Sequence, residues 1–226
     1  MSLSLNLSDL TVVAGARTLL RVPSLSLPAG SLIGVRGPSG AGKSTLLYAL
    51  SGLLAAKGSV RWGQTDLAQL SAERRTAFRA AHMGLIFQDY LLFEELSPRA
   101  NASLAALFST SGDRAQVNAR AADRLDRLGV PRDSRSVASF SGGERQRVAV
   151  ARALATDPAI LLADEPTASL DRPAADQLID DLVALVRDSG KTLIAVSHDL
   201  HLLDRLDRVL TIRDGQLTDD TRVGTA

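Results

Sequence analysis

The chain has 226 residues, is 45% hydrophobic and 23% charged, carries a formal net charge of +1 and contains no cysteine. That suffices for one large domain, or a domain with a subdomain; it excludes a disulfide framework and thiolate metal sites, and it gives no reason to expect direct contact with nucleic acid. No stretch approaches the ~20 continuous apolar residues of a membrane-spanning helix, and residues 1–7 lack the basic start and apolar run of a signal peptide. A cytoplasmic protein is expected, with any membrane portion supplied by another chain.

Leu3, Leu5 and Leu7 alternate with polar residues, as do Leu25 and Leu27 before the Pro28-Ala29-Gly30 turn, so the chain is expected to open with half-buried strands. Leu32–Val35 reads as a buried strand entering a glycine-rich run, Ser44–Leu54 as a helix and Ser59–Trp62 as a short strand. Ser71–Arg79 reads as a helix whose Arg74, Arg75 and Arg79 form a solvated face. Met83–Phe87 is a compact strand ending at Gln88. Helical composition runs from about Ser97 to Thr156, with breaks near Ser109–Asp113 and over Gly129–Phe140. Strand and helix then alternate: Ala159–Ala163, Pro173–Arg187, Thr192–Val196 and Asp199–Leu206. A closing hairpin is expected around Asp214-Gly215. This rhythm predicts an α/β fold, a mainly parallel sheet flanked by helices, with the long helical stretch as an insertion.

Gly37-Pro38-Ser39-Gly40-Ala41-Gly42-Lys43-Ser44-Thr45 matches the phosphate-loop pattern G-x-x-x-x-G-K-[ST]. Glycines let successive backbone N–H groups cradle phosphate oxygens, and the helix that follows presents its positive end to the same anion. Lys43 is expected to reach the β- and γ-phosphates of ATP, and the Ser44 hydroxyl to coordinate Mg²⁺.

The apolar strand Ile160–Ala163 ends in two carboxylates, and ligands of open α/β sheets lie at the carboxyl ends of strands. Asp164 is therefore expected beside the Mg²⁺, through a coordinated water. Glu165 is the candidate general base for the attacking water. Gln88 and His198 each follow an apolar strand at the same sheet edge. Such residues are often structural, but this placement also suits contacts to Mg²⁺, water or the γ-phosphate.

Ser141-Gly142-Gly143-Glu144-Arg145-Gln146-Arg147 resembles the signature motif of ATP-binding cassette (ABC) proteins. Leu162–Asp171 resembles their acidic strand end and the loop after it, Val196–Asp199 their histidine switch, and Phe87-Gln88 their glutamine loop. The resemblance implies a phosphate-loop NTPase of the ABC type over 1–226, with an N-terminal antiparallel β subdomain and a helical subdomain inserted at about 97–156. It implies an ATPase using ATP and Mg²⁺, in which two nucleotide-binding subunits, most simply two copies of this chain, sandwich each ATP. One would supply the phosphate loop, Gln88, Asp164, Glu165 and His198. The other would supply Ser141, Gly142, Gly143 and Glu144, and Asp171 would link the two sites. The same resemblance implies a separate transmembrane subunit, with this chain peripheral on the cytoplasmic face of the membrane.

Within the family the chain looks most like ATPases of lipoprotein-releasing and macrolide-export systems, on Met83–Gln88, Leu91-Leu92, Leu96-Ser97-Pro98 and Asn101. It departs from them at Phe140, where Leu is usual, and at Ala168-Ser169, where Gly-Asn is usual. Family members also stack an aromatic residue on adenine; here that position corresponds to Ala14, and a less base-selective site is expected. Asp89–Phe93 is either subdomain core or part of a groove for a helix of the membrane subunit. A soluble ABC ATPase of iron–sulfur assembly or macromolecular remodelling is the alternative to a transport motor.

Overall fold

The computed structural model describes residues 2–109, 111–131 and 135–223. Ten strands form one sheet. In chain order they are β1 (Leu5–Ala14), β2 (Arg17–Leu27), β3 (Leu32–Arg36), β4 (Lys57–Trp62), β5 (Thr65–Asp66), β6 (Met83–Ile86), β7 (Ile160–Asp164), β8 (Thr192–Val196), β9 (Arg208–Arg213) and β10 (Gln216–Arg222). The spatial order is β5-β4-β1-β2-β10-β9-β3-β8-β7-β6. From β9 to β6 all neighbours are parallel, whereas β5, β4, β1 and β2 pair antiparallel.

Periodicity of two decides which side chains face which core. On β3, β7 and β8, Leu32, Leu161, Ala163, Leu193 and Ala195 face a core shared with the long helices. Ile33, Val35, Ile160, Leu162, Ile194 and Val196 face the opposite core, shared with β1, β2 and the helix after β3. Both faces are covered, so these strands read as continuous apolar runs. In β1 and β2 the buried residues are Leu5, Leu7, Leu10 and Val12, and Leu20, Val22, Leu25 and Leu27. Both strands are longer than their leucine alternation predicted, because the hairpin continues through a bulge at Val12/Val13.

The helices are α1 (Lys43–Leu50), α2 (Ala72–His82), α3 (Pro98–Ala102), α4 (Ser111–Arg127), α5 (Gly142–Leu154), α6 (Arg172–Asp188) and α7 (Leu200–Leu203). α3, α4 and α5 lie between β6 and β7. Of the two breaks expected there, residue 110 and residues 132–134 lie outside the described residues. α6 buries Ala175, Leu178, Ile179, Leu182, Val183 and Val186 along one face.

Two expectations need correction. α1 stops at Leu50, not Leu54, because Gly52 takes φ 67° and the amides of Leu53 and Leu54 turn back to the Tyr48 carbonyl. Arg79 does not belong to a solvated face: its guanidinium donates to the carbonyls of Ser51 and Gly52 at 3.4 and 3.2 Å, closing the end of α1.

Candidate active site

β3 delivers the chain into the glycine-rich loop, and α1 starts at Lys43 with Gly42 as its N-cap. Gly37 has φ 152°, and a Cβ there would lie 2.0 Å from the Ile212 carbonyl oxygen, so only glycine fits. Lys43 is 8% exposed, and its ammonium donates to the carbonyls of Gly37 and Pro38 at 2.9 Å each. The loop is thus folded around a cation that retains a third N–H for an anion. Ser39, Gly40, Lys43 and Ser44 line a cleft of about 600 Å³, and Gln88, Asp164, Glu165 and His198 line its other side. Gly37 and Pro38 open instead onto a neighbouring depression beside Arg36 and Thr211. Ala41 is buried, its carbonyl accepting from Gly215 N at 3.0 Å. Thr45 is half-buried on α1 and does not line the cleft.

Strand parity fixes the acidic end. Asp164 shares the face of Ile160 and Leu162 and therefore points toward α1. It is 3% exposed. Its Oδ2 accepts from the Tyr48 hydroxyl at 3.4 Å, and its Oδ1 is buried with no partner. A bare buried carboxylate oxygen is costly, about 1–3 kcal/mol or more. With the Ser44 hydroxyl and the Gln88 amide on the same cleft, it forms an oxygen donor set suited to Mg²⁺. Among the described residues no cluster of three or more His, Cys, Asp or Glu could hold a metal alone. That fits an ion bound through few protein ligands together with substrate phosphates and water.

Glu165 has φ 48°, a left-handed backbone that a non-glycine residue adopts at a cost of about 1–3 kcal/mol. Its N–H donates to the Val196 carbonyl at 2.9 Å, which links the ends of β7 and β8. Its carboxylate accepts from His198 N at 3.3 Å and lies 3.4 Å from His198 Nε2. Burial pushes the Glu165 carboxyl up; His198 and the Lys43 charge act against this without cancelling it. A carboxyl whose pKa burial raises, at the edge of the cleft that Lys43 lines, is a stronger proton acceptor than an ordinary glutamate.

Ser141, Gly142, Gly143 and Glu144 do not line this cleft. They open α5 with a capping box. Glu144 N donates to Ser141 Oγ at 3.3 Å, while Ser141 N and Oγ both donate to Glu144 Oε2, at 2.8 and 2.9 Å. A Cβ on Gly142 would come within 3.3 Å of the Ser169 carbonyl, and one on Gly143 within 3.2 Å of the Leu170 side chain. Asp171 caps α6, its Oδ1 accepting from Ala174 N at 2.9 Å.

The segment after Gln88 divides. Leu91 and Phe93 are each 55% exposed. Tyr90 instead turns inward, its hydroxyl buried without a partner and close to Gly142. Tyr90 and Leu91 both have positive φ, 59° and 50°, and their carbonyls accept from the Arg152 guanidinium of α5 at 2.6 and 2.5 Å. Sequence reasoning missed Arg152, and it missed Tyr48 as the hydroxyl next to Asp164. Only the i+4 spacing of Tyr48 from Ser44 on one helix face pointed to the second. The end of β1 at Ala14 is exposed, and among the described residues no Phe, Tyr or Trp lines the cleft.

Residues 20–168 match the family model described as ABC transporter. The lipoprotein-releasing system ATP-binding protein LolD of Novosphingobium aromaticivorans is 41% identical over 202 residues, 88% of this chain and 89% of that protein. The macrolide export ATP-binding/permease protein MacB of Bradyrhizobium diazoefficiens is 41% identical over 90% of this chain, which spans 31% of that longer protein. Among solved structures, the ATP-binding cassette MJ0796, described as dimeric and bound to ADP and Pi after hydrolysis, has a TM-score of 0.86 at 27% identity, covering 98% of this chain and 100% of the other.

Proposed function

This chain belongs to the ABC transporter family, and from that premise we propose that it is the ATP-binding and ATP-hydrolysing subunit of a membrane transporter or membrane-remodelling complex, acting as two copies that sandwich ATP. The observation that carries this reading is the partnerless buried Oδ1 of Asp164 on the same cleft as Lys43, Ser44 and the Glu165–His198 pair.

The roles follow from the chemistry. Backbone N–H groups of 37–45 and the Lys43 ammonium bind the phosphates. Ser44, Gln88 and Asp164, the last through water, would hold Mg²⁺, which neutralises charge on the phosphate oxygens when bound. Glu165 takes a proton from the attacking water, and His198, next to the Glu165 carboxylate, reaches the γ-phosphate. Ser141, Gly142 and Gly143, outside the chain's own cleft at the N-terminus of a 13-residue helix, suit the phosphate of a second copy's ATP. Glu144, whose carboxylate fixes Ser141, and Asp171 complete that contact. The helical segment 97–156 carries the signature.

No helix of the described residues is long and apolar enough to cross a membrane, so the chain would work from the cytoplasmic face against a separate membrane subunit. Exposed Leu91 and Phe93 provide an apolar surface for that contact. The test is Glu165→Gln, which keeps the shape of the site but removes the base. With ATP and Mg²⁺ it is expected to elute as a dimer, whereas Lys43→Ala stays monomeric. A monomer under all conditions would sink the sandwich reading. Co-purification of a soluble scaffold in place of a membrane-spanning partner would favour cofactor assembly.

A further inference from the structure

Asp199 follows His198 directly, and its side chain is only 12% exposed. Its Oδ1 accepts from Arg172 Nη1 and from His201 N, both at 3.0 Å. Its Oδ2 accepts from Thr167 Oγ1 at 3.2 Å, and its own N–H donates to Ser197 Oγ at 3.0 Å. The donors come from separate segments. Thr167 lies two residues beyond Glu165, Arg172 follows Asp171 at the start of α6, and His201 belongs to α7. Arg172 also pairs with Asp176 at 2.7 Å, and Asp176 lies 3.0 Å from His201 Nδ1. Burial alone would push the Asp199 carboxyl up, but Arg172 and the N–H and O–H donors outweigh it and hold it below the usual carboxylate range.

A carboxylate engaged by three donors is neither a free base nor an open metal ligand. Its effect is on neighbours. The contacts between Glu165 and His198 are long, 3.3 and 3.4 Å, and the His198 side chain is 57% exposed. That pair does not fix its own geometry. We propose that Asp199 is a positioning residue for hydrolysis, tying together the three short segments that carry Glu165, Asp171 and His198 and so setting the Glu165–His198 distance. The inference rests on the reading of this cleft as an ATPase site. Its cost is estimated from the general sensitivity of catalysis to geometry, where a displacement of about 1 Å lowers rate by ~100-fold.

The test uses the full chain with Asp199→Ala, Asp199→Asn, Thr167→Val and Arg172→Gln. Each is measured for ATPase kcat and KM, for equilibrium ATP affinity and for Tm. Asp199→Ala is expected to lower kcat at least about tenfold with the ATP Kd within about threefold of the parent. Asp199→Asn, which keeps the acceptor for His201 N but not the ion pair, recovers part of the loss. Adding Arg172→Gln to Asp199→Ala lowers kcat no further, because the other pair of Arg172, with Asp176, does not hold Asp199. A kcat within about twofold of the parent in Asp199→Ala, or a fall matched by the fall in affinity, overturns the proposal. If Asp199→Ala does not fold, Thr167→Val and Arg172→Gln decide: each should lower kcat about threefold at unchanged Kd, and parental kcat in both overturns it. A parent chain that hydrolyses no ATP refutes the ATPase reading itself.

Discussion

Lys43→Ala tests the phosphate loop at its centre. Lys43 is 8% exposed and its ammonium already donates two N–H bonds to the Gly37 and Pro38 carbonyls, so it would meet an incoming phosphate largely desolvated and pre-oriented. A charge-assisted hydrogen bond contributes about 1.5–3 kcal/mol, so its loss raises the ATP Kd roughly 12- to 160-fold. At ATP concentrations of about 100 parental Kd, bound nucleotide stabilises the parent by ~2.7 kcal/mol, against ~1.3 to ~0.3 kcal/mol for the variant. At about 2–4 °C per kcal/mol for a chain of this size, the ATP-induced Tm shift falls from roughly 5–11 °C to roughly 1–5 °C. Thermal melts with and without ATP read this directly, and a steady-state assay should find ATPase activity nearly abolished. A parental Tm shift together with parental turnover would refute the assignment of phosphate binding to this loop.

Four further outcomes are expected. Because burial raises the Glu165 carboxyl, the acid limb of the kcat–pH profile should lie above the ordinary glutamate value of about 4.3. The sign also runs through stability: a raised carboxyl favours the fold at acid pH and loses that contribution as pH rises, so Glu165→Gln should melt higher than the parent near about pH 8, with the difference shrinking toward about pH 4. Asn101 is fully buried, and its amide bonds Phe93 N and O at 2.9 Å each, with further contacts to the Leu96 and Ser97 carbonyls. Asn101→Ala should cost about 2–4 kcal/mol in denaturant unfolding, and a loss under about 1 kcal/mol would mean that water replaces the amide. With no Phe, Tyr or Trp among the described residues lining the cleft, base stacking worth about 1–3 kcal/mol is not expected, so GTP should compete with ATP within about tenfold; tight ATP binding with no GTP competition would contradict this.

The phosphate loop, the acidic strand end and the opening of α5 were legible because each is local: a run of glycines, an apolar strand before two carboxylates, a serine three residues before a glutamate. The parallel core was legible because apolar runs separated by helical patterns have few other ways to fold. What stayed hidden depends on distance along the chain. Tyr48 meets Asp164 across 116 residues, and Arg152 reaches Leu91 across 61. Arg79, in a polar helical run, reads as solvated until its partner carbonyls are placed, and Arg152, set among apolar residues of α5, carries no local mark of the Tyr90 and Leu91 carbonyls it meets. Asp89–Phe93 reads either as subdomain core or as a groove, and the structure splits it: Leu91 and Phe93 are exposed, while the Tyr90 hydroxyl is buried close to Gly142, on a residue with φ 59°. No composition signal reports a left-handed tyrosine.

The sheet contains a seam. Between β2 and β10 the ladder has a single rung, Gln216 opposite Arg21, with Arg21 N donating to the Gly215 carbonyl at 2.6 Å and Arg208 Nη1 of β9 donating to the Ser26 carbonyl of β2 at 3.1 Å. The phosphate loop sits on that seam: Gly215 N holds the Ala41 carbonyl, and the Leu19 carbonyl presses against Gly42 and Gly215, where a Cβ would come within 3.0 and 2.6 Å. A lone rung is the place where a sheet parts first under load, whereas β3, β7 and β8 are each stitched to a neighbour over at least four residues. An anion bound by the loop would therefore brace the molecule across this thinly paired seam. Amide exchange at Arg21 and Gly215 should slow on nucleotide binding more than anywhere in the parallel core, and the nucleotide's departure should loosen the sheet as a mechanical unit.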